Sequence, residues 1–305
     1  MDILKRILVG IDLSEIDVTL IRYTDLLVSA FDVDTVYFIH VAKSLEIPDE
    51  LLEKYPDLIP PLDETIEKQI ESLVDQYLEN KDKVKVKTIV KEGNAEDKIL
   101  RWSDIKEIDL MVLGRKHNLK GSGRLPGQLT RVGHCSVLMV PEFVEPKIDR
   151  IMVPVDFSKN SSITLVESMK IKDCFKAKLI IQHTYRVPIG YHASGKSYEE
   201  FQEIMKEHAF KDADKFLSKN GIDKDLVEVV VTEDDNDEPA DRIYEEANSR
   251  KVNLVVIASR GRTGLASMLL GSVADKLCQY DTTIPLLIIK NKKENMGFLE
   301  ALWRI

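Results

Sequence analysis

The chain has 305 residues, 44% of them hydrophobic and 31% charged, which suits a folded globular protein long enough for two domains of ordinary size. A formal net charge of −9 argues against a general nucleic-acid binder, and no apolar run approaches a membrane span. The cysteines, Cys135, Cys174 and Cys278, are far apart and odd in number, so reduced thiols in the cytoplasm are expected and a disulfide framework is not.

The first stretch, "MDILKRILVGID", lacks signal-peptide organisation and reads directly as a strand. After it come the short apolar runs "VYFI", "VKVKTIV", "DLMVL" and "SVLMV", each separated by a helical segment. The clearest of these segments carries Ile66, Ile70, Leu73, Val74, Tyr77 and Leu78, spaced to form one face of a helix. The pattern then starts again. "KRILVGIDLSE" (5–15) returns as "DRIMVPVDFSK" (149–159), and "DLMVLGRK" (109–116) returns as "NLVVIASR" (253–260), both at an offset of 144. "VYFIHV" (36–41) returns as "LIIQHT" (179–184) at an offset of 143. A helix is expected from about Ser197 to Ser218, and another in "SVADKLCQY", where Val273, Leu277 and Tyr280 share a face. Strands alternating with helices imply a parallel sheet with right-handed crossovers and helices on both faces. The expected organisation is two tandem Rossmann-like α/β domains, 1–143 and 149–290, joined by the Pro-containing "PEFVEPKID" and followed by a tail, 291–305. The apolar Phe298, Leu299, Leu302, Trp303 and Ile305 make that tail a docking element, on its own domain or on a neighbouring subunit.

Neither half has a glycine fingerprint after its first strand, and no Walker A pattern occurs. Instead "VGIDLSE" and "VPVDFSK" each place an Asp at the strand end and then a Ser suited to cap the next helix. The glycines come after the fourth strand. The second half reads Ala258-x-x-Gly261, nine residues, then Gly271-Ser272, with "VPVD" at strand one. This pattern resembles the universal stress protein family, whose nucleotide signature is G-x-x-G, nine residues, then G-[ST]; Ala258 stands where the signature has Gly. The resemblance covers about residues 3–143 and 149–290. It implies a five-stranded parallel sheet of order 3-2-1-4-5 in each domain, of the adenine nucleotide α-hydrolase-like kind.

The resemblance also implies a site. ATP or AMP, with or without magnesium, would lie at the carboxyl ends of strands one and four. Gly261 and Gly264 would let the loop pass close to phosphate, and Gly271 and Ser272 would open a helix whose free N–H groups face it. Arg260 and Arg262 would add charge-assisted bonds. Asp156 would accept from ribose or adenine, Pro154 would shape the base pocket, backbone near His183 and Thr184 would meet the adenine edge, and Ile257 and Val273 would line the pocket. Set beside this is a plainer reading, in which the small residues only permit tight packing and Ser272 only caps a helix.

In the first half the loop is altered. Counting forward from Gly114 puts Gly127-Gln128 at the helix start; counting back from the last strand puts Gly121-Ser122-Gly123 there, the preferred alignment. Gly10 replaces the counterpart of Pro154, and Lys116, Lys120 and Arg124 are the candidate anion ligands. A structural or regulatory role is expected for this half. His40 and His183 read as hydrogen-bonded, partly buried histidines. His117, His134 and Cys135 match no zinc spacing, and "EDDNDEPADRI" lacks the EF-hand glycine and reads as an acidic helix start. No catalytic constellation stands out, so the expected function is occupancy signalling in a stress response, with slow ATP hydrolysis at most. The alternatives are a nucleotide-independent interaction scaffold and an enzyme of the wider fold group. The expected assembly is an intramolecular pseudo-dimer of the two halves, with a homodimer as a further possibility.

Overall fold

The computed structural model describes residues 4–46, 62–116, 125–260, 270–280 and 283–290. The chain forms two compact units, one built on Asp2–Lys147 and the other on Ile148–Tyr280 with Ile284–Ile289.

The first unit runs β1 (Arg6–Ile11), α1 (Ile16–Ala30), β2 (Thr35–Ala42), α2 (Leu62–Tyr77), β3 (Lys85–Glu92), α3 (Ala95–Ile105), β4 (Leu110–Arg115), α4 (Leu125–Val132) and β5 (Ser136–Pro141). Its strands are parallel in the order β3-β2-β1-β4-β5. Central β1 is covered on both faces, which explains its unbroken apolar run: Ile7, Leu8 and Val9 are buried. On α2, Ile70 and Val74 are buried and Leu78 follows them just past the helix end, as the periodicity predicts.

The second unit repeats the plan: β6 (Arg150–Pro154), α5 (Lys159–Phe175), β7 (Lys178–Tyr185), α6 (Tyr198–Lys219), β8 (Glu228–Glu233), α7 (Pro239–Ser249), β9 (Leu254–Ala258), α8 (Ser272–Gln279) and β10 (Leu286–Ile289). Its parallel order is β8-β7-β6-β9-β10. A capping box starts α6. The Ser197 hydroxyl accepts from Glu200 N–H at 3.2 Å, and Glu200 Oε2 accepts from Ser197 N–H at 3.0 Å. On α8 the buried residues are Ala274, Leu277 and Cys278. Val273 is therefore not on the core face that the spacing suggested, and Tyr280 lies past the helix end, its ring 4.6 Å from that of Tyr244.

The repeat extends to single hydrogen bonds. Asp109 Oδ2 accepts from the Lys5 and Arg6 amides, both at 2.9 Å, and Asn253 Oδ1 accepts from the Asp149 and Arg150 amides at 3.1 and 3.0 Å. Each bond set ties the start of a first strand to the residue before a fourth strand. The turn after the first strand is equally matched, with Leu13 at φ 61° and Phe157 at φ 62°. A left-handed non-glycine costs about 1 kcal/mol or more, so the loop must be held in place. Asp17 Oδ1 holds it in the first unit, and Ser161 Oγ in the second, each accepting from the strand-end Asp amide at 3.2 Å.

The two turns differ in their serines. Ser158 caps α5, accepting from Ser161 N–H at 3.2 Å. Ser14 does not cap α1, contrary to expectation; Glu15 is the cap residue and makes no side-chain bond. The Ser14 hydroxyl donates instead to Asp12 Oδ1 at 2.5 Å.

Candidate functional site

In the second unit the strand order reverses between β6 and β9, since β6 pairs with β7 on one side and β9 on the other. Connections leave in opposite directions there, which opens a crevice at the carboxyl ends. A cleft of about 260 Å³ occupies it. Pro154, Asp156, Thr184, Ile257, Ala258, Arg260, Gly271, Ser272 and Val273 all line it. Gly261, Arg262 and Gly264 lie outside the described residues.

Each wall has a physical origin. Asp156 ends the first strand of the unit, and its carboxylate is oriented by its own loop: Oδ1 accepts from Ser158 N–H at 3.0 Å and from Ser161 Oγ–H at 2.5 Å. Ala258 is the last residue of β9, paired with Ile289 in extended backbone and not left-handed. Its methyl group thus brings no backbone strain where the family signature has Gly. Gly271 is the cap residue of α8, at φ −63° and ψ 148°, and its N–H donates to Ser259 O at 2.8 Å. Having no side chain, it leaves the first turn of α8 without a side-chain cap, and Ser272 occupies the first helical position and is not a cap. Ser272, Val273 and Ala274 face the cleft from that turn. The acidic residue of the turn, Asp275, has its Oδ2 bonded to Gln279 Nε2 at 3.0 Å.

His183 does not line the cleft. Its Nδ1 pairs with Val155 O at 2.8 Å and its ring lies 4.2 Å from that of Phe157, as a structural histidine would. His40 repeats this bond to Ile11 O at 2.9 Å. Of the acidic run, Asp234 accepts from Glu238 N–H at 2.8 Å and pairs with Arg186 at 2.9 Å, fastening the start of α7. Sequence reasoning missed Ser161, Gln182, Pro239 and Ile243, which also line the cleft.

The equivalent cleft of the first unit is smaller, about 140 Å³. Two side chains distinguish it from the second cleft, one by charge and one by bulk. Lys116, at the position of Arg260, pairs with Asp12 at 2.6 Å, so the acid at the strand end is already neutralised. Ile16, at the position of Asn160, fills the space against Gly114, where an added Cβ would lie 2.6 Å from Ile16 Cδ1. Gly127 lies inside α4, so Gly127 and Gln128 do not open that helix; His117, Lys120, Gly121, Ser122, Gly123 and Arg124 lie outside the described residues. His134 pairs with Asp104 at 2.6 Å.

Comparison with known proteins agrees with the fold. The sequence model described as "Universal stress protein family" matches residues 4–141 and 147–290. A universal stress protein of Methanocaldococcus jannaschii is 30% identical over 152 residues, covering 48% of this chain and 84% of that protein. Universal stress protein YxiE of Bacillus subtilis is 32% identical over 148 residues, covering 47% of this chain and 99% of that protein. Among solved structures, a functionally unknown protein of Pseudomonas aeruginosa has a TM-score of 0.64 at 15% identity, covering 99% of this chain and 98% of its own. A universal stress protein of Archaeoglobus fulgidus has a TM-score of 0.56 at 17% identity, covering 94% and 96%. The last two likenesses concern the fold.

Proposed function

The chain belongs to the universal stress protein family, and from that premise we propose that it acts in a stress response by binding ATP or AMP in the second unit. The observation that carries the reading is the first turn of α8, without a side-chain cap and facing a cleft at the switch point. The N–H groups of a helix's first turn and the positive end of its dipole favour an anion there. Arg260 adds positive charge on the same side, and Ser272 adds a hydroxyl. Pro154, Ile257 and Thr184 offer the base a mostly apolar wall. A cleft of about 260 Å³ lies just below the roughly 300–1,000 Å³ range for ligand sites, which suits a nucleoside with its phosphates at the open mouth. Magnesium bound to those phosphates belongs to the same reading. The role of the site is occupancy, with slow hydrolysis at most.

A scaffold role is favoured for the first unit by the Lys116–Asp12 pair and by Ile16. A pseudo-dimer of the two halves, a possible homodimer and a docked tail at 291–305, outside the described residues, complete the proposal, with the cytoplasm as its setting. Among the described residues no helix is long and apolar enough to cross a membrane.

Isothermal titration of the full chain with ATP and with AMP tests the site. One site per chain is expected, abolished by Gly271→Val, which places a side chain at the closest approach to phosphate. Two equal sites, or undiminished binding in the variant, would overturn the assignment.

A further inference from the structure

Strand β7 alternates its side chains between two environments. His183 points toward Phe157, whose ring packs 5.3 Å from that of Phe216 on α6. Gln182 points to the other face, beside Pro154 of β6 in register, and lines the cleft together with Pro239 and Ile243 of α7. It is 1% exposed, and its Nε2 has no hydrogen-bond partner. A buried amide donor left unpaired carries its full desolvation penalty, so a native protein keeps one only where something else is gained.

The fold does not require a polar group there. The repeat places Ile39 at the same position of the first unit, where it is 1% exposed and lines the smaller cleft. An isoleucine thus packs the same wall of the same architecture. A second unpartnered polar atom stands nearby in register. Thr232 Oγ1 of β8 is buried without a partner, and Thr232 pairs with Thr184, two residues along from Gln182 on the same face.

We propose that Gln182 is a specificity-determining residue of the second cleft: its side-chain amide donates to a ring nitrogen of a purine base. The inference rests on the nucleotide reading above. The surroundings select the acceptor. Pro154, Ile257 and Ile243 make this part of the cleft apolar, which suits a neutral heterocycle and disfavours a phosphate. Phosphate has its own place at α8 and Arg260. The amide is largely buried at the cleft wall, so a bond to it forms in a low dielectric. Reading the base this way discriminates strongly, because a ligand without the acceptor leaves the amide unpaired.

The test titrates the full chain and two variants, Gln182→Ile and Gln182→Met, with ATP and with its 1-deaza, 3-deaza and 7-deaza analogues. The wild type is expected to bind one analogue about tenfold more weakly than ATP. Both variants should bind ATP about tenfold more weakly than the wild type and no longer discriminate against that analogue. Without ligand, the variants should melt at or above the wild-type temperature, since an unpaired donor is gone. Equal ATP affinity in wild type and variants, or discrimination that persists in the variants, refutes the role of Gln182 and leaves the nucleotide reading intact. A lower melting temperature in both ligand-free variants assigns Gln182 a structural role instead. Failure of the wild type to bind ATP or any analogue refutes the nucleotide reading, and this inference falls with it.

Discussion

Asp17→Asn tests how the turn after β1 is held. Asp17 is fully buried at the start of α1; its Oδ1 accepts the Asp12 amide at 3.2 Å, and its Oδ2 has no hydrogen-bond partner. Burial pushes its carboxyl from 3.8 up to about 6, with the backbone amides of Asp12, Leu13 and Ser14 opposing that rise and the Asp12 charge adding to it. A shift of roughly two units corresponds to about 3 kcal/mol, at about 1.4 kcal/mol per unit. The folded chain keeps the proton up to about pH 6, while the unfolded chain loses it near 3.8. Between those values the folded state binds more protons, so stability falls as pH rises through the window, and above it the whole penalty is present. Asparagine cannot ionise. Its oxygen keeps the Asp12 bond, but its NH₂ group is left unpaired, which offsets about 1–2 kcal/mol of the gain. The variant should therefore be about 1–2 kcal/mol more stable than wild type at pH 7.5, with the advantage disappearing by about pH 4.5. Urea unfolding of the full chain at a series of pH values, followed by circular dichroism, measures the difference. A variant less stable at pH 7.5, or a difference that does not change with pH, would refute the reasoning.

Gly114→Ala should destabilise the chain by about 1–2 kcal/mol in thermal melts, because the new methyl meets Ile16 at 2.6 Å, and Ile16→Ala in the same chain should recover part of the loss. Residues 1–146 expressed alone should self-associate in size-exclusion chromatography, and a stable soluble monomer would sink the pseudo-dimer. Deleting 296–305 should lower the melting temperature or the oligomer mass in light scattering. Trp303 should emit blue-shifted fluorescence in a Trp102→Phe background, and emission like that of free tryptophan would exclude a docked tail.

The strands were legible because burial on both faces writes itself as an unbroken apolar run, as at "ILVGI" and "NLVVIA". The helix α6 was legible because Ser197 and Glu200 mark its start and satisfy its first amides. Pro154, Asp156, Ala258 and Gly271 were found through the resemblance, and they line one cleft. Pro239 and Ile243 were not found, since they reach the cleft only through the crossover that lays α7 over the sheet, and no local spacing encodes that. Gln182 did leave a signal. In "LIIQHT" it is a polar residue in a run whose counterpart, "VYFIHV", has Ile39. The signal lies in where the two halves differ, not in where they agree. Ser14 misled because a Ser before a helix reads as a cap, whereas the Asp12 carboxylate competes for its hydroxyl.

On the proposed reading, the unequal filling of the two clefts would set the shape of the chain's response. Ile16 and Asn160, Lys116 and Arg260, Ile39 and Gln182 are specified by separate codons, so a change in one cleft leaves the other as it was. A one-domain protein that pairs with itself lacks this freedom, because each change arrives in both copies and occupancy passes through a half-filled state. On the proposed reading, with Ile16 lining the first cleft and Lys116 paired to Asp12, titration of a single open site per chain would follow a simple hyperbola with a Hill coefficient of one, unless two chains are coupled in a homodimer. Such a chain would report ligand concentration as a graded occupancy, with no threshold to tune.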